Sequence, residues 1–257
     1  MTQLRVTDKH VPRPNSSQYP YRAFTGMIPS AEWAVFFDDF LHTWIPTTAI
    51  TNGAVANTPS PWQAAIIDTG ATIAVNTTAA IGANGVLTIA DATASEGAAV
   101  YGQKTIQLTA GKKLWMEARL RTDDVTDNAI QFGLSSVTAS TNPEDLWTTA
   151  ADSLIAFGLL DGSAYPQLLV DAANSGTTAQ TQTNRIMTVD TWHTLAFFYD
   201  GVNLRSYVDG KLAHLYSGAA ATIPTGVALA PFFGALSGNG AGGNLNVFDY
   251  IRVVSER

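Results

Sequence analysis

Cysteine is absent from the 257 residues, which removes disulfide frameworks, thiolate zinc centres and cysteine nucleophiles together. Charge is scarce as well. Asp, Glu, Lys and Arg make up 14% of the chain against 46% hydrophobic residues, too little charge for a disordered chain and ample apolar material for one packed core. No apolar run approaches the roughly eighteen residues of a membrane-spanning helix, so insertion into a bilayer is not expected. The opening MTQLRVTDKHVPRPN sets charges and prolines where a secretory leader carries an apolar stretch, and the expectation is a protein kept in the cytosol or released from it without a signal. Helical periodicity is weak throughout, and no internal repeat marks a propeller or solenoid.

The charge that is present is unevenly placed. Residues 1 to 30 hold Arg5, Lys9, Arg13 and Arg22 against Asp8 alone, a net +3, while the remaining ten basic and twenty acidic residues leave the rest at −10. Pro12, Pro14, Pro20 and Pro29 disfavour a helix in that leading segment, and Tyr19, Tyr21 and Phe24 give it anchors that a plain spacer does not need. The expected organisation is an extended arm over residues 1–31 followed by one β-sandwich domain over residues 32–257. A basic arm on an acidic body implies that the arm reaches for a partner, and the acidic body argues against nucleic acid.

From Trp33 onward the pattern is short β-type runs punctuated by turns. Three Asp-Gly pairs (Asp161-Gly162, Asp200-Gly201, Asp209-Gly210) and three Asn-Gly pairs (Asn52-Gly53, Asn84-Gly85, Asn239-Gly240) supply the positive-φ residues of tight hairpins. In Lys113 to Arg121, Leu114, Met116, Ala118 and Leu120 alternate with Trp115, Glu117, Arg119 and Arg121, so one face is assigned to the core and the other to water. Trp192 to Tyr199, Leu204 to Val208 and Lys211 to Tyr216 read as a meander. Phe36 to Phe40 reads as the first strand and Phe248 to Val254 as a last strand closing near it. The runs 85–90, 105–108, 130–134 and 154–159 fit further strands. The Ala/Thr-rich stretches 71–83 and 172–182 read as loops or edge strands, and residues 142–151 as one short helix capped by Asn142.

The segment TWHTLAFFYDGVNLRSYVDGKLAHLY, residues 191–216, resembles the late hairpin pair of concanavalin A-like and laminin G-like jelly rolls. Trp192, Asp200-Gly201, Tyr207 and Asp209-Gly210-Lys211 carry the likeness, which extends to KKLWMEARLR and NVFDYIRVV. It implies an all-β, two-sheet antiparallel sandwich, a fold that hosts lectins, glucanases, adhesion modules and phage structural proteins. The overall character, a cysteine-free single sandwich behind a basic arm, is similar to virion proteins that decorate tailed-phage capsids.

That resemblance also tells what to look for. Glycoside hydrolases of this fold carry a Glu-x-Asp-x-Glu strand, because cleavage needs two carboxylates; here Glu117 stands alone between Trp115 and Arg119, and a cross-strand surface charge pair is the expected role. His10, His42, His193 and His214 lack metal-ligand spacing, and no Gly-x-Ser-x-Gly elbow appears. Gly238 to Gly243 is glycine-rich but lacks a following Lys-Ser/Thr or helix, so it reads as a hairpin tip. Calcium has two candidate places: Asp38 and Asp39 beside Asp249, and the loop of Asp123, Asp124, Asp127 and Asn128. For a glycan, Trp115 and Trp147 are the candidate platforms, with Trp33, Trp44, Trp62 and Trp192 assigned to the core or to docking the arm.

The expectation is therefore a non-enzymatic decoration protein on the capsid exterior, assembled in the host cytoplasm without a required cofactor. Arg5, Lys9, Arg13, Tyr19, Tyr21, Arg22 and Phe24 would bind major capsid protein subunits, with self-association as a trimer preferred. The alternative is a lectin-like module that binds a glycan or receptor from a tail fibre or capsid surface.

Overall fold

The computed structural model describes residues 33–40, 62–67, 70–76, 85–91, 96–136, 153–159, 164–171, 179–216, 223–238 and 243–257. The arm residues, Trp147, Trp44 and the short helix expected at 142–151 lie outside them.

Sixteen strands are present among the described residues, and every strand pairing is antiparallel. They are β1 (Trp33–Asp38), β2 (Gln63–Ile67), β3 (Thr72–Asn76), β4 (Val86–Ala90), β5 (Gly97–Tyr101), β6 (Ile106–Gln107), β7 (Leu114–Thr122), β8 (Asn128–Ser135), β9 (Leu154–Leu159), β10 (Gln167–Asp171), β11 (Ala179–Gln182), β12 (His193–Tyr199), β13 (Leu204–Val208), β14 (Lys211–Tyr216), β15 (Ala228–Ser237) and β16 (Leu245–Glu256). One sheet runs β14-β13-β12-β7-β16-β4-β3, with β1 lying end to end with β4 along the same side of β16. The other runs β11-β10-β9-β8-β15-β5-β2, with β6 continuing the line of β5 along β15. No helix long and apolar enough to cross a membrane occurs among the described residues.

The sheets face each other across one core. β7 contributes Leu114, Met116, Ala118 and Leu120, the residues that its period-two pattern predicts, and they meet Ile130, Phe132, Phe157 and Phe233 from the opposite sheet. At the centre, Phe233 lies 4.7 Å from Phe248, 5.6 Å from Trp62 and 5.7 Å from Phe40, ring centre to ring centre. Trp62 donates its indole N–H to Asp38 at 2.6 Å, so its one polar atom is satisfied inside the core.

Two differences from the sequence reading have local causes. The first strand ends at Asp38 rather than Phe40, because Asp38 Oδ1 accepts the Phe40 N–H at 2.8 Å and Phe40 turns to φ 57°. β15, unread in the sequence, is a central strand despite Pro231. The Pro231 carbonyl accepts the Gly102 N–H at 2.7 Å, so the ring nitrogen faces the same side, where β5 has ended and β6 has not begun. No ladder bond is lost there.

The meander β12–β13–β14 is as read. At its second turn, Asp209 (φ 50°) and Gly210 (φ 72°) give the two positive-φ centres of a tight hairpin. The stretches 71–83 and 172–182 contribute β3 and β11, which are edge strands.

Candidate functional site

The outer face of the sheet containing β7 holds the candidate site, and antiparallel register decides which side chains meet there. Trp115, Glu117, Arg119 and Arg121 share that face of β7. Trp115 sits opposite Phe198 of β12 and Val254 of β16, Glu117 opposite Ala196 and Arg252, and Arg119 opposite Thr194 and Tyr250. Ala196 in turn faces Tyr207 of β13. A β-bulge between Phe248 and Tyr250 shifts the register of β16, so Phe248 and Ile251 both reach the core while Tyr250 turns outward.

The methyl of Ala196 leaves space among larger neighbours. The result is a pocket of about 460 Å3 lined by Trp115, Glu117, Thr194, Tyr207, Asp209 and Tyr250 around Ala196 and Gly210. The face assigned to water is thus an apolar cluster with polar inclusions: Trp115, Phe198, Tyr207 and Val254 pack together, with Trp115 only 5.5 Å from Tyr207.

The polar groups of the pocket are held in defined states. Glu117 is 6% exposed and Trp115 1%, and the Trp115 indole N–H donates to Glu117 Oε2 at 3.1 Å. Burial pushes the Glu117 carboxyl above the usual carboxylate range, against the opposing pulls of that hydrogen bond and of the Arg252 charge. Tyr250 is pushed up to about 12, by burial first and by the Glu117 charge second. Burial likewise raises Tyr207, whose hydroxyl is enclosed and lacks a hydrogen-bond partner among the described residues.

Asp209 behaves in the opposite way. Burial disfavours its charge, but His193 and the Thr194 N–H outweigh this and hold the carboxyl below its ordinary value. Oδ1 accepts the Thr194 N–H at 2.9 Å and Oδ2 lies 2.9 Å from His193 Nδ1. His193 Nε2 accepts the Thr188 N–H at 3.0 Å, so Nδ1 carries the proton and donates to Asp209. Both oxygens of Asp209 are therefore engaged.

Beyond Thr194 the face becomes cationic. The Arg119 guanidinium stands 4.8 Å from the centre of the Trp192 ring and that of Arg121 5.5 Å from it. Arg119 also pairs with Asp249 at 2.9 Å.

These positions correct several expectations. Trp115 is on the outer face, as read, but is buried under its neighbours and is no exposed platform. Glu117 does stand across from Arg252, yet as a buried group bonded to Trp115 rather than a surface charge pair. Trp62 is core, Trp33 is half-buried at the outer cluster and Trp192 is the rim of the pocket face.

At both calcium candidates most of the acidic groups take part in local bonds. β1 and β16 pair as expected, but Asp38 accepts from Trp62 and Phe40, and Asp249 faces Arg119. Asp124 is taken up by the Thr126 N–H and hydroxyl and the Asp127 N–H, Asp123 accepts the Leu245 N–H, and Asn128 bonds Asn246 and Thr122. Among the described residues no group of three or more His, Asp or Glu side chains converges.

The sequence reading missed Thr194, Tyr207, Asp209 and Tyr250 as a group. Tyr207 and Asp209 were within reach: the tight Asp209-Gly210 turn sets their face, and period two places Thr194 and Ala196 together.

Residues 116–252 match the model of the concanavalin A-like lectin/glucanases superfamily, more than half of the chain, and the protein belongs to that superfamily. No curated protein sequence matches the chain. The carbohydrate recognition domain of Emp47p is similar in structure, with a TM-score of 0.58 at 13% identity over 88% of this chain and 98% of that one. So is a protein of unknown function, SO2946 from Shewanella oneidensis MR-1, with a TM-score of 0.54 at 13% identity over 96% and 97%. A Bacillus licheniformis β-glucanase follows at 0.51 and 16% identity, over 85% and 97%. At such identities these likenesses describe the fold alone.

Proposed function

We propose that the protein is a lectin-like, non-catalytic sandwich that binds a saccharide in the pocket above Ala196. The observation that carries this reading is the Tyr207 hydroxyl, a buried hydrogen-bonding group without a partner among the described residues, beside Glu117, Thr194 and Tyr250 in a space of about 460 Å3. Unpaired polar groups inside a fold are costly, and a ligand rich in hydroxyls satisfies them. Tyr250, half-buried in the pocket wall, supplies an aromatic surface for apolar contact. Cleavage is disfavoured because the face of β7 that carries Glu117 continues with Arg119 and Arg121, where the hydrolases of this fold carry their further carboxylates.

The test is a glycan array followed by calorimetry on the wild type and on Ala196→Leu, which fills the pocket. Binding by the wild type and its loss in a folded A196L protein supports the site. An array on which the wild type binds nothing, or turnover of a polysaccharide that Glu117→Gln abolishes, rejects the reading.

The charge division between residues 1–30 and the remainder supports a second reading, which concerns where such a module is carried. Arg5, Lys9, Arg13 and Arg22 would face acidic groups of capsid subunits, and Tyr19, Tyr21 and Phe24 would be buried against them, fastening the sandwich to a virion exterior as a decoration protein. Deleting residues 1–30 should abolish incorporation into particles; full occupancy by the truncated protein ends this reading.

A further inference from the structure

We propose that the site takes an acidic saccharide, one that carries a carboxylate, with Arg121 as the group that recognises the acid. This deepens the lectin-like reading and rests on it. Arg119 and Arg121 are two residues apart on one face of β7, and both guanidinium groups stack toward the Trp192 ring, at 4.8 and 5.5 Å. The two differ in what else they do. Arg119 is spent on Asp249, at 2.9 Å, whereas Arg121 has no acidic partner among the described residues. A guanidinium laid against an aromatic ring is oriented in advance, and its edge presents a planar fork of N–H donors that matches a carboxylate in bidentate fashion.

Position links this cation to the pocket. Thr194 lines the pocket and pairs with Arg119, and Trp192 stands two residues along the same face. Glu117 and Arg121 are four residues apart on β7, about 13 Å at the usual strand rise. One ligand can reach both only if it spans more than one sugar ring, with a neutral ring in the pocket and the acid over Trp192. The chain carries a net charge of −7, so a cation without an acidic partner among the described residues, beside this pocket, is local complementarity rather than part of a general basic surface.

The experiment prints uronic- and sialic-acid glycans beside their carboxyl-reduced, neutral counterparts and beside sulfated glycans. It probes them with the wild type, Arg121→Gln and Arg121→Lys, and measures the ligands found by calorimetry. The expected result is wild-type affinity at least about tenfold higher for a carboxylated glycan than for its reduced form, the scale of one charge-assisted pair. R121Q should remove that difference while keeping the affinity for the neutral form, and R121K should keep only part of it. Equal affinity of the wild type for acid and neutral forms, preference for sulfate over carboxylate, or an unchanged preference in R121Q would overturn the assignment while leaving the lectin-like reading in place. Absence of binding to every glycan would overturn both.

Discussion

The indole N–H of Trp115 donates to Glu117 two residues further along the same strand, at 3.1 Å, and both side chains are buried. Since burial raises the Glu117 pKa in the folded protein, the native state binds a proton more tightly than the unfolded chain, and stability falls as pH rises from the ordinary glutamate value through the raised folded value. Glu117→Gln removes this dependence. The unfolding midpoint of E117Q relative to wild type should therefore rise between acidic and neutral pH, as read by calorimetry in a pH series. A constant difference would contradict it.

Tyr207→Phe separates stability from binding. Removing a buried hydroxyl that has no partner among the described residues should raise stability by about 1 kcal/mol in urea denaturation, while weakening any saccharide that uses that hydroxyl. A loss of stability would mean that the group is paired in solution.

Asp200 works in the opposite sense to Glu117. Burial disfavours its charge, but the N–H groups of Asn203 and Val202 and the Arg205 ion pair more than offset this and lower its pKa. That stability is present above the unfolded carboxylate value and is lost as pH falls through the lower folded one. Asp200→Ala should cost about 1–3 kcal/mol at neutral pH, with the deficit shrinking in strong acid.

Two glycines with positive φ should respond differently to alanine. Gly226 (φ 77°) has open space where a Cβ would stand, so Gly226→Ala should cost only backbone strain, about 1–2 kcal/mol. Gly201 (φ 100°) would set its Cβ 2.8 Å from the backbone of Gly111, and Gly201→Ala should cost clearly more in the same denaturation assay.

Phe233→Ala should cost about 3–5 kcal/mol, because the ring is fully buried among Trp62, Phe40 and Phe248 and its removal leaves a cavity between the sheets. Phe233→Leu should recover much of that loss.

The strands that the sequence made legible are those with strong alternation or a two-residue turn. Leu114 to Leu120 and the Asp209-Gly210 hairpin predicted β7 and the β12–β14 meander nearly to the residue. β15 escaped because Pro231 and Gly234 argue against a central strand, and only the gap between β5 and β6 makes Pro231 acceptable there. Alternation correctly placed Trp115 on the outer side, but it says nothing of what packs over a face. Tyr250 was hidden for a different reason: the bulge reverses its parity, and nothing local in Phe248 to Ile251 announces that. A site assembled from β7, β12, β13 and β16 depends on cross-strand register, which a single chain of letters discloses only where a tight turn imposes it.

Strand β16 lies against β1, β4 and β7 together. A nascent chain therefore holds three of its strands without their common neighbour until that late segment has been synthesised. Such distant pairing makes for slow acquisition of the native state, and it leaves unsatisfied strand borders exposed to other chains in the meantime.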